Sequence, residues 1–222
     1  MKNSQKKCII FDFDGVIVES LDIKTDAFKE IYKPYGVKIV NKVAQYHKEN
    51  GGISRYNKFN YYHSNYLGID LSVAEINKLS LTFSNIVKKK VSVCPYVKGA
   101  LEFIKSSSKI YDLYISSATP KEELLEIVSC RGIDHYFQGI YGSPECKSDH
   151  IKTIIKYGKY NKSDILFVGD AVTDYEAAKK MDIHFILRNT HTSINFSFKR
   201  RVDQINDFSD FNNIIDQLSD TV

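Results

Sequence analysis

Short apolar runs that end abruptly in polar residues alternate with stretches of helical spacing over most of this chain. Cys8-Ile9-Ile10-Phe11 leads into Asp12-Phe13-Asp14-Gly15, Tyr111-Asp112-Leu113-Tyr114-Ile115 into Ser116-Ser117-Ala118-Thr119-Pro120, and Ile165-Leu166-Phe167-Val168 into Gly169-Asp170. Runs of that length that are apolar throughout, without polar alternation, are typical of strands covered on both faces. The pattern predicts strands near 8–13, 111–115, 138–141, 165–168 and 184–187. Helical spacing predicts helices near 97–108, 121–131, 148–158, 174–181 and 211–218. Strand–helix alternation of this kind gives a parallel sheet covered by helices through right-handed crossovers, so the expected class is α/β.

Residues 21–91 break this rhythm. Ala27 and Phe28, then Tyr32, Val37, Val40, Val43 and Tyr46, then Tyr56, Phe59 and Tyr62, and later Ile76, Leu79, Phe83 and Val87 recur at helical intervals without strand alternation. The economical account is an all-helical insert over 21–91 that leaves an α/β domain made of 1–20 and 92–222 after its first strand. The crossings, and hence the hinges, fall near 16–21 and 90–95. Its aromatic residues either wall a sugar-sized cavity or form the insert's own core.

The polar strand ends carry the candidate chemistry. Residues two apart on an extended strand point the same way, so Asp12 and Asp14 can share one small volume beyond the carboxyl end of a sheet, where open α/β sheets bind ligands. Like charges held that close need a cation or a shared proton. A hard, oxygen-liganded ion such as Mg²⁺ meets that need, leaving one carboxylate to act as nucleophile and the other to give and take a proton. Asp170 and Asp174 repeat the arrangement at a second strand end, one helical turn apart and close enough to share a metal or order its waters. Hydroxyls and N–H groups over 116–119 can hold phosphate oxygens, or cap the helix that follows, and Ser117 is placed with the substrate-binding candidates. Lys147 can neutralise a phosphoryl group beside the acids.

Taken in order, Asp12-Phe13-Asp14-Gly15-Val16, Ser116, Lys147, and Gly169-Asp170 with Asp174 resemble the four motifs of the haloacid dehalogenase superfamily of phosphohydrolases, and within it members such as phosphoglycolate phosphatase and beta-phosphoglucomutase. The resemblance covers nearly the whole chain. It implies a Rossmann-like parallel core with an inserted helical cap, and an aspartyl-phosphate route in which Asp12 attacks phosphorus while Asp14 protonates the leaving oxygen and then activates water. Ser116 and Lys147 would serve as catalytic phosphate ligands. Mg²⁺ would be held by Asp12, the backbone carbonyl of Asp14, and Asp170, with Asp174 as direct or indirect support. Gly51-Gly52-Ile53-Ser54-Arg55 is similar to the Gly-x-Ser-Arg loop in the mutase cap, which makes Arg55, with Lys58 beside it, the expected grip on a second anionic or strongly hydrogen-bonding group of the substrate. Lys24 stands where the mutase has a histidine, which favours a phosphatase over a mutase; Glu19 and Ser148 depart from commoner residues without removing polar character.

Composition narrows the classes further. With 222 residues, 43% of them apolar, the chain can bury a substantial core in one or two domains. A net charge of +4 is mild, and the basic clusters Lys88-Lys89-Lys90 and Lys199-Arg200-Arg201 lack the interleaved aromatics of a base-reading surface. No nucleic-acid or membrane partner is expected, only a small phosphorylated metabolite, with the protein acting as a monomer or homodimer. His47 and His63 read as ordinary cap residues. Cysteines 8, 94, 130 and 146 have no metal-ligand spacing and read as free thiols, and the basic N-terminus precedes an apolar run too short for a signal or membrane helix, so a cytoplasmic location is expected. Two other readings share the acidic pocket: a sugar phosphomutase, and a non-enzymatic phospho-aspartate switch or binding protein. The helical insert and the second carboxylate, Asp14, count against the switch.

Overall fold

The computed structural model describes residues 7–191 and 202–219; the side chains of 216–219, the N-terminal tail and the 199–201 basic cluster lie outside what it describes. Six parallel strands form one sheet in the order β3-β2-β1-β4-β5-β6: β1 Cys8–Phe11, β2 Asp112–Pro120, β3 Phe137–Ser143, β4 Ile165–Gly169, β5 His184–Arg188 and β6 Asp203–Ile205. The two strands with the most acidic exits are thereby neighbours. β1 lies between β2 and β4, with Phe11 level with Ile115 on one side and Val168 on the other, so the three polar exits open together at the carboxyl end of the sheet. Strand order reverses beside β1, which is where a doubly wound sheet forms its ligand crevice.

Apolar side chains line both faces of the sheet. Ile9, Phe11, Leu113, Ile115 and Val168 belong to the larger core, and Cys8, Ile10, Tyr114, Ile165 and Phe167 to a second one beneath α7 Lys147–Gly158 and α8 Val172–Met181, the helices that follow β3 and β4. Burial on both faces explains why these strands show no alternation. The predicted strands and helices of this domain are all present. β6 was not expected: it is a three-residue edge strand in a polar segment, held by parallel pairing of Ile186, Leu187 and Arg188 with residues 203–205.

The interval between β1 and the next strand is helical, as the spacing predicts. It holds α1 Leu21–Tyr32, α2 Val37–Glu49, α3 Arg55–Tyr62 and α4 Val73–Val93, before α5 Ala100–Ser107 returns to the sheet. α4 opens on a capping box in which Ser72 and Glu75 satisfy each other's backbone N–H groups. The insert's aromatic residues chiefly form its own core: Phe28, Tyr32, Phe59, Tyr62 and Phe83 are each at most 1% exposed, with Phe28 in edge-on or tilted contact with Phe59, Tyr62 and Phe83. The two crossings run side by side, tied by Glu19 N–H to Pro95 O and Val97 N–H to Ile17 O. No described helix is long and apolar enough to cross a membrane.

Candidate active site

Asp12 follows the last residue of β1, and its own N–H continues the ladder to Val168 O at 2.9 Å. The chain then turns tightly through Asp14 and Gly15. Gly15 has φ +75°, and a Cβ there would lie 2.4 Å from Asp170 Oδ2, so this turn needs glycine both for its conformation and for the approach of the second acidic strand end. Asp170 follows β4, and Asp174 sits in the first turn of α8 Val172–Met181. Ligand atoms of Asp12, Asp170 and Asp174 all come within 4.8 Å of one another, and all three residues are buried.

Hydrogen bonds divide these acids sharply. Asp174 is saturated: Oδ2 accepts the N–H groups of Asp170 and Ala171 at 3.2 and 3.0 Å, and Oδ1 pairs with the Lys147 ammonium. Asp12 takes the Phe13 N–H on Oδ1 at 2.7 Å and faces Lys147 across 2.9 Å on Oδ2. The Asp170 carboxylate receives no hydrogen bond and no cation among the described residues, although the residue is only 4% exposed. Burial and the charges of Asp12, Asp174 and Asp14 hold its pKa well above the usual carboxylate range. Burial likewise raises Asp12, to about 7, with Lys147 opposing and Asp174 and Asp14 adding to the shift. Lys147 moves the other way from an ordinary buried amine: its burial disfavours charge, but Asp12 and Asp174 outweigh it and raise its pKa.

An acidic, oxygen-only donor set with one buried, unpartnered carboxylate fits a hard divalent cation. Asp170, unpartnered among the described residues, clusters with Asp12 and Asp174, each of which has partners on both oxygens, and Asp174 also orients Lys147 and the turn at 170–171.

Asp14 occupies a different environment from Asp12. Burial works against its charge, but the Lys24 ammonium and hydrogen bonds from Lys24, Ser20 and Thr119 prevail, so its pKa falls. Ser20 Oγ lies 2.6 Å from Oδ1 and Thr119 Oγ1 2.9 Å from Oδ2. Lys24 and Thr119 are residues whose part the sequence did not disclose; Thr119 reads as a helix cap, and only the folded sheet brings it to a carboxylate 105 positions earlier.

Two of the sequence's candidates are engaged within the fold. The Ser116 side chain is on the sheet face that carries Tyr114, where its hydroxyl meets His150 Nδ1 at 2.8 Å. Ser117, one residue on and so on the opposite face, lines the cavity with Ala118 and Thr119. Arg55 borders the cavity, but its guanidinium is engaged within the fold. Its guanidinium forms a two-pronged pair with Glu123 of α6 Lys121–Cys130, at 2.8 and 2.5 Å, donates to Ser84 Oγ at 2.7 Å and lies over the Phe83 ring. Lys58 does face the cavity, with His47 as its hydrogen-bond partner at 2.8 Å. Glu19 pairs with Arg188 at 2.6 Å, outside the cavity.

The cavity itself, partly open to solvent, lies between the acidic strand ends and α1–α3 of the insert. Gly52, at φ +75°, lets the insert's loop close against α8: a Cβ there would overlap the Thr173 hydroxyl. The enclosure therefore joins a metal-competent acidic wall from the sheet to a cationic wall from the insert.

This fold has known counterparts. Residues 9–188 match the family model of the haloacid dehalogenase-like hydrolases, and the chain belongs to that family. Among solved structures, a predicted phosphoglycolate phosphatase from Haemophilus somnus is 20% identical with TM-score 0.75, the match covering 96% of this chain and 99% of that one. The beta-phosphoglucomutase of Clostridium difficile is 18% identical with TM-score 0.77, over 97% and 98% of the two chains. A magnesium-bound hydrolase of this family from Bacillus subtilis, YfnB, is 14% identical with TM-score 0.69, over 96% and 100%. At these identities the likenesses show the fold. No curated protein matches the chain.

Proposed function

We propose that this protein is a Mg²⁺-dependent phosphatase of small phosphate monoesters, working through a phosphorylated Asp12. The observation that carries the reading is the division of the acids: Asp170 is buried and unpartnered among the described residues beside Asp12, which faces Lys147, while Asp14, two residues from Asp12, is held by its own hydroxyl and ammonium partners. Separate environments for neighbouring carboxyls let one act as nucleophile and the other as acid and base.

Asp12 contributes an oxygen that bonds to phosphorus as the ester P–O bond breaks. The leaving oxygen takes the proton of the Asp14 carboxyl, whose pKa, held low by Lys24, Ser20 and Thr119, must rise for that role as the anionic phosphate binds beside it. Asp14, now ionised, accepts a proton from water, whose oxygen bonds to phosphorus and releases the Asp12 carboxylate with inorganic phosphate. Lys147, fixed by Asp174, meets the charge on the non-bridging oxygens, and Ser117 adds a neutral donor. Asp12, Asp170 and the Asp14 carbonyl would hold Mg²⁺, which supplies electrostatic stabilisation of the transferring group when bound. The helical insert would act as the cap that excludes water, hinged where its two crossings meet.

Two measurements test this reading. Incubation with Mg²⁺ and a panel of phosphate monoesters should release inorganic phosphate in step with ester consumed; isomerised ester without that release would point to a mutase. Thermal unfolding tests the metal site independently. Asp170→Asn removes the unpartnered charge, so without metal it should stabilise the fold by on the order of 1–2 kcal/mol, roughly 2–8 °C. Saturating Mg²⁺, at about a hundred times its Kd, should add about 2.7 kcal/mol to the wild-type protein and little to the variant. Equal Mg²⁺ shifts in both proteins would remove Asp170 from the metal site.

A further inference from the structure

Three separate segments hold the Asp14 carboxylate. Ser20, in the first crossing, donates to Oδ1 at 2.6 Å, while Lys24, in the first turn of α1, and Thr119, near the end of β2, both reach Oδ2. The groups around Oδ2 form a closed triangle, with Lys24 Nζ 2.8 Å and Asp14 Oδ2 2.9 Å from the Thr119 hydroxyl oxygen. While Asp14 is ionised, donor and acceptor chemistry gives that triangle one direction. An ammonium donates and never accepts, so the hydroxyl accepts from Lys24 and its single proton goes to the carboxylate. Two donors then occupy Oδ2, whereas Oδ1 has only Ser20 among the described residues and keeps room for one further hydrogen bond. Thr119 also donates its N–H to Ser117 Oγ at 3.1 Å, so the Ser117 hydroxyl, an acceptor there, has its own proton left for a ligand.

We propose that Lys24 is a positioning residue of the reaction: with Thr119 it pins Asp14 through Oδ2, which leaves Oδ1 as the oxygen that accepts the proton of the attacking water. This rests on the phosphatase reading and deepens it by giving the proton transfer a single atom. Water bonds to phosphorus through its oxygen, one of its protons passes to Asp14 Oδ1, and the P–O bond to Asp12 breaks with its electron pair returning to that carboxylate. The charge-assisted contact is the strongest of the three and the one that makes the two oxygens unequal. Without Lys24, one neutral hydroxyl is left on each oxygen, and nothing distinguishes the oxygen that faces the water from the one that does not. Misplacement of a reacting group by about 1 Å costs on the order of 10²-fold in rate.

The test uses p-nitrophenyl phosphate with Mg²⁺, because its leaving group departs without an acid, so that p-nitrophenol release reports phosphorylation of Asp12 and phosphate release reports its decay. Lys24→Met should slow decay about 30-fold or more while phosphorylation and KM stay within about threefold. Lys24→Arg, which keeps the donors, should bring decay back to within about fivefold of wild type, and Thr119→Val, which removes only the hydroxyl, should fall between the two. Thr119→Val carries the same prediction if Lys24→Met does not fold. A loss in phosphorylation as large as that in decay would make Lys24 a phosphate ligand, and unchanged decay in Lys24→Met and Thr119→Val would make the contact purely structural; either overturns the proposal. Crystal structures of the wild type and the Lys24 variants separate it from the reading beneath it. If no ester phosphorylates the wild type, yet the Asp14 carboxylate turns in Lys24→Met and keeps its place in Lys24→Arg, the pinning of Asp14 stands and the phosphatase reading fails. If the wild type turns over but Lys24→Met keeps Asp14 in place and decays at the wild-type rate, the phosphatase reading stands and the role of Lys24 is overturned.

Discussion

Asp12→Asn should abolish turnover of every phosphate ester, by on the order of 10³-fold or more, while leaving the protein folded. The amide keeps the side chain's volume and can still accept the Phe13 N–H, but it supplies no anionic oxygen to phosphorus. Asp14→Asn should behave differently. It retains the nucleophile and loses the proton, so an ester with a good leaving group, such as p-nitrophenyl phosphate, should still phosphorylate Asp12. Loss should be greatest for alkyl esters, whose departing oxygen needs the acid, and phosphorylated enzyme should build up because water is no longer activated. Rapid-quench kinetics of both variants against both ester types measures this split. Identical losses in the two variants on both esters would mean that the acids do not have separate roles.

The largest structural effect should come from Arg55→Ala. Glu123 is 6% exposed and takes both guanidinium nitrogens, with Ser84 bonded to each partner. Removing the arginine leaves a buried carboxylate with one neutral donor, which costs about 3–5 kcal/mol, or roughly 6–20 °C in thermal midpoint at this chain length. Replacing both partners, Arg55→Met with Glu123→Leu, should recover most of that loss, since no charge is then stranded. Double-mutant unfolding measures the coupling. A loss below about 1 kcal/mol for Arg55→Ala would be that of an exposed ion pair and would contradict the buried clamp. Because α3 belongs to the insert and α6 to the sheet domain, the same pair holds the two segments together.

The acidic wall was legible in the sequence because its chemistry sits at the exits of strands that apolar runs mark out. Asp12, Asp14, Asp170 and Asp174 were found together for that reason, and the order of the sheet brought β1 and β4 side by side. The second wall was not legible, because it depends on which cation finds which anion. Arg55 and Lys58 are adjacent on one face of α3, and nothing within the insert tells which will meet Glu123, 68 residues on. Ser116 and Ser117 differ by one position, and a one-residue step reverses the face of a strand, so only the pairing of β2 settles which hydroxyl enters the cavity. Lys24 was visible as a departure from the mutase pattern, but its contact with Asp14 required the first turn of the insert to fold back over the strand exit. The aromatic residues of the insert allow either a sugar-sized cavity wall or a core of their own, and Tyr32 and Tyr62, with Tyr46, Tyr61 and Tyr66 packed against them, go to the core.

A single turnover followed by mapping of the phosphorylated peptide tests the central claim most directly. Protein in excess over a ³²P-labelled monoester, with Mg²⁺ present, is quenched in acid over the time course, and the labelled residue is identified. The proposed route predicts label on Asp12 that rises and decays as inorganic phosphate appears, and none in Asp12→Asn. Phosphate released from the ester with no label on Asp12 at any time, or at an undiminished rate in Asp12→Asn, would contradict it.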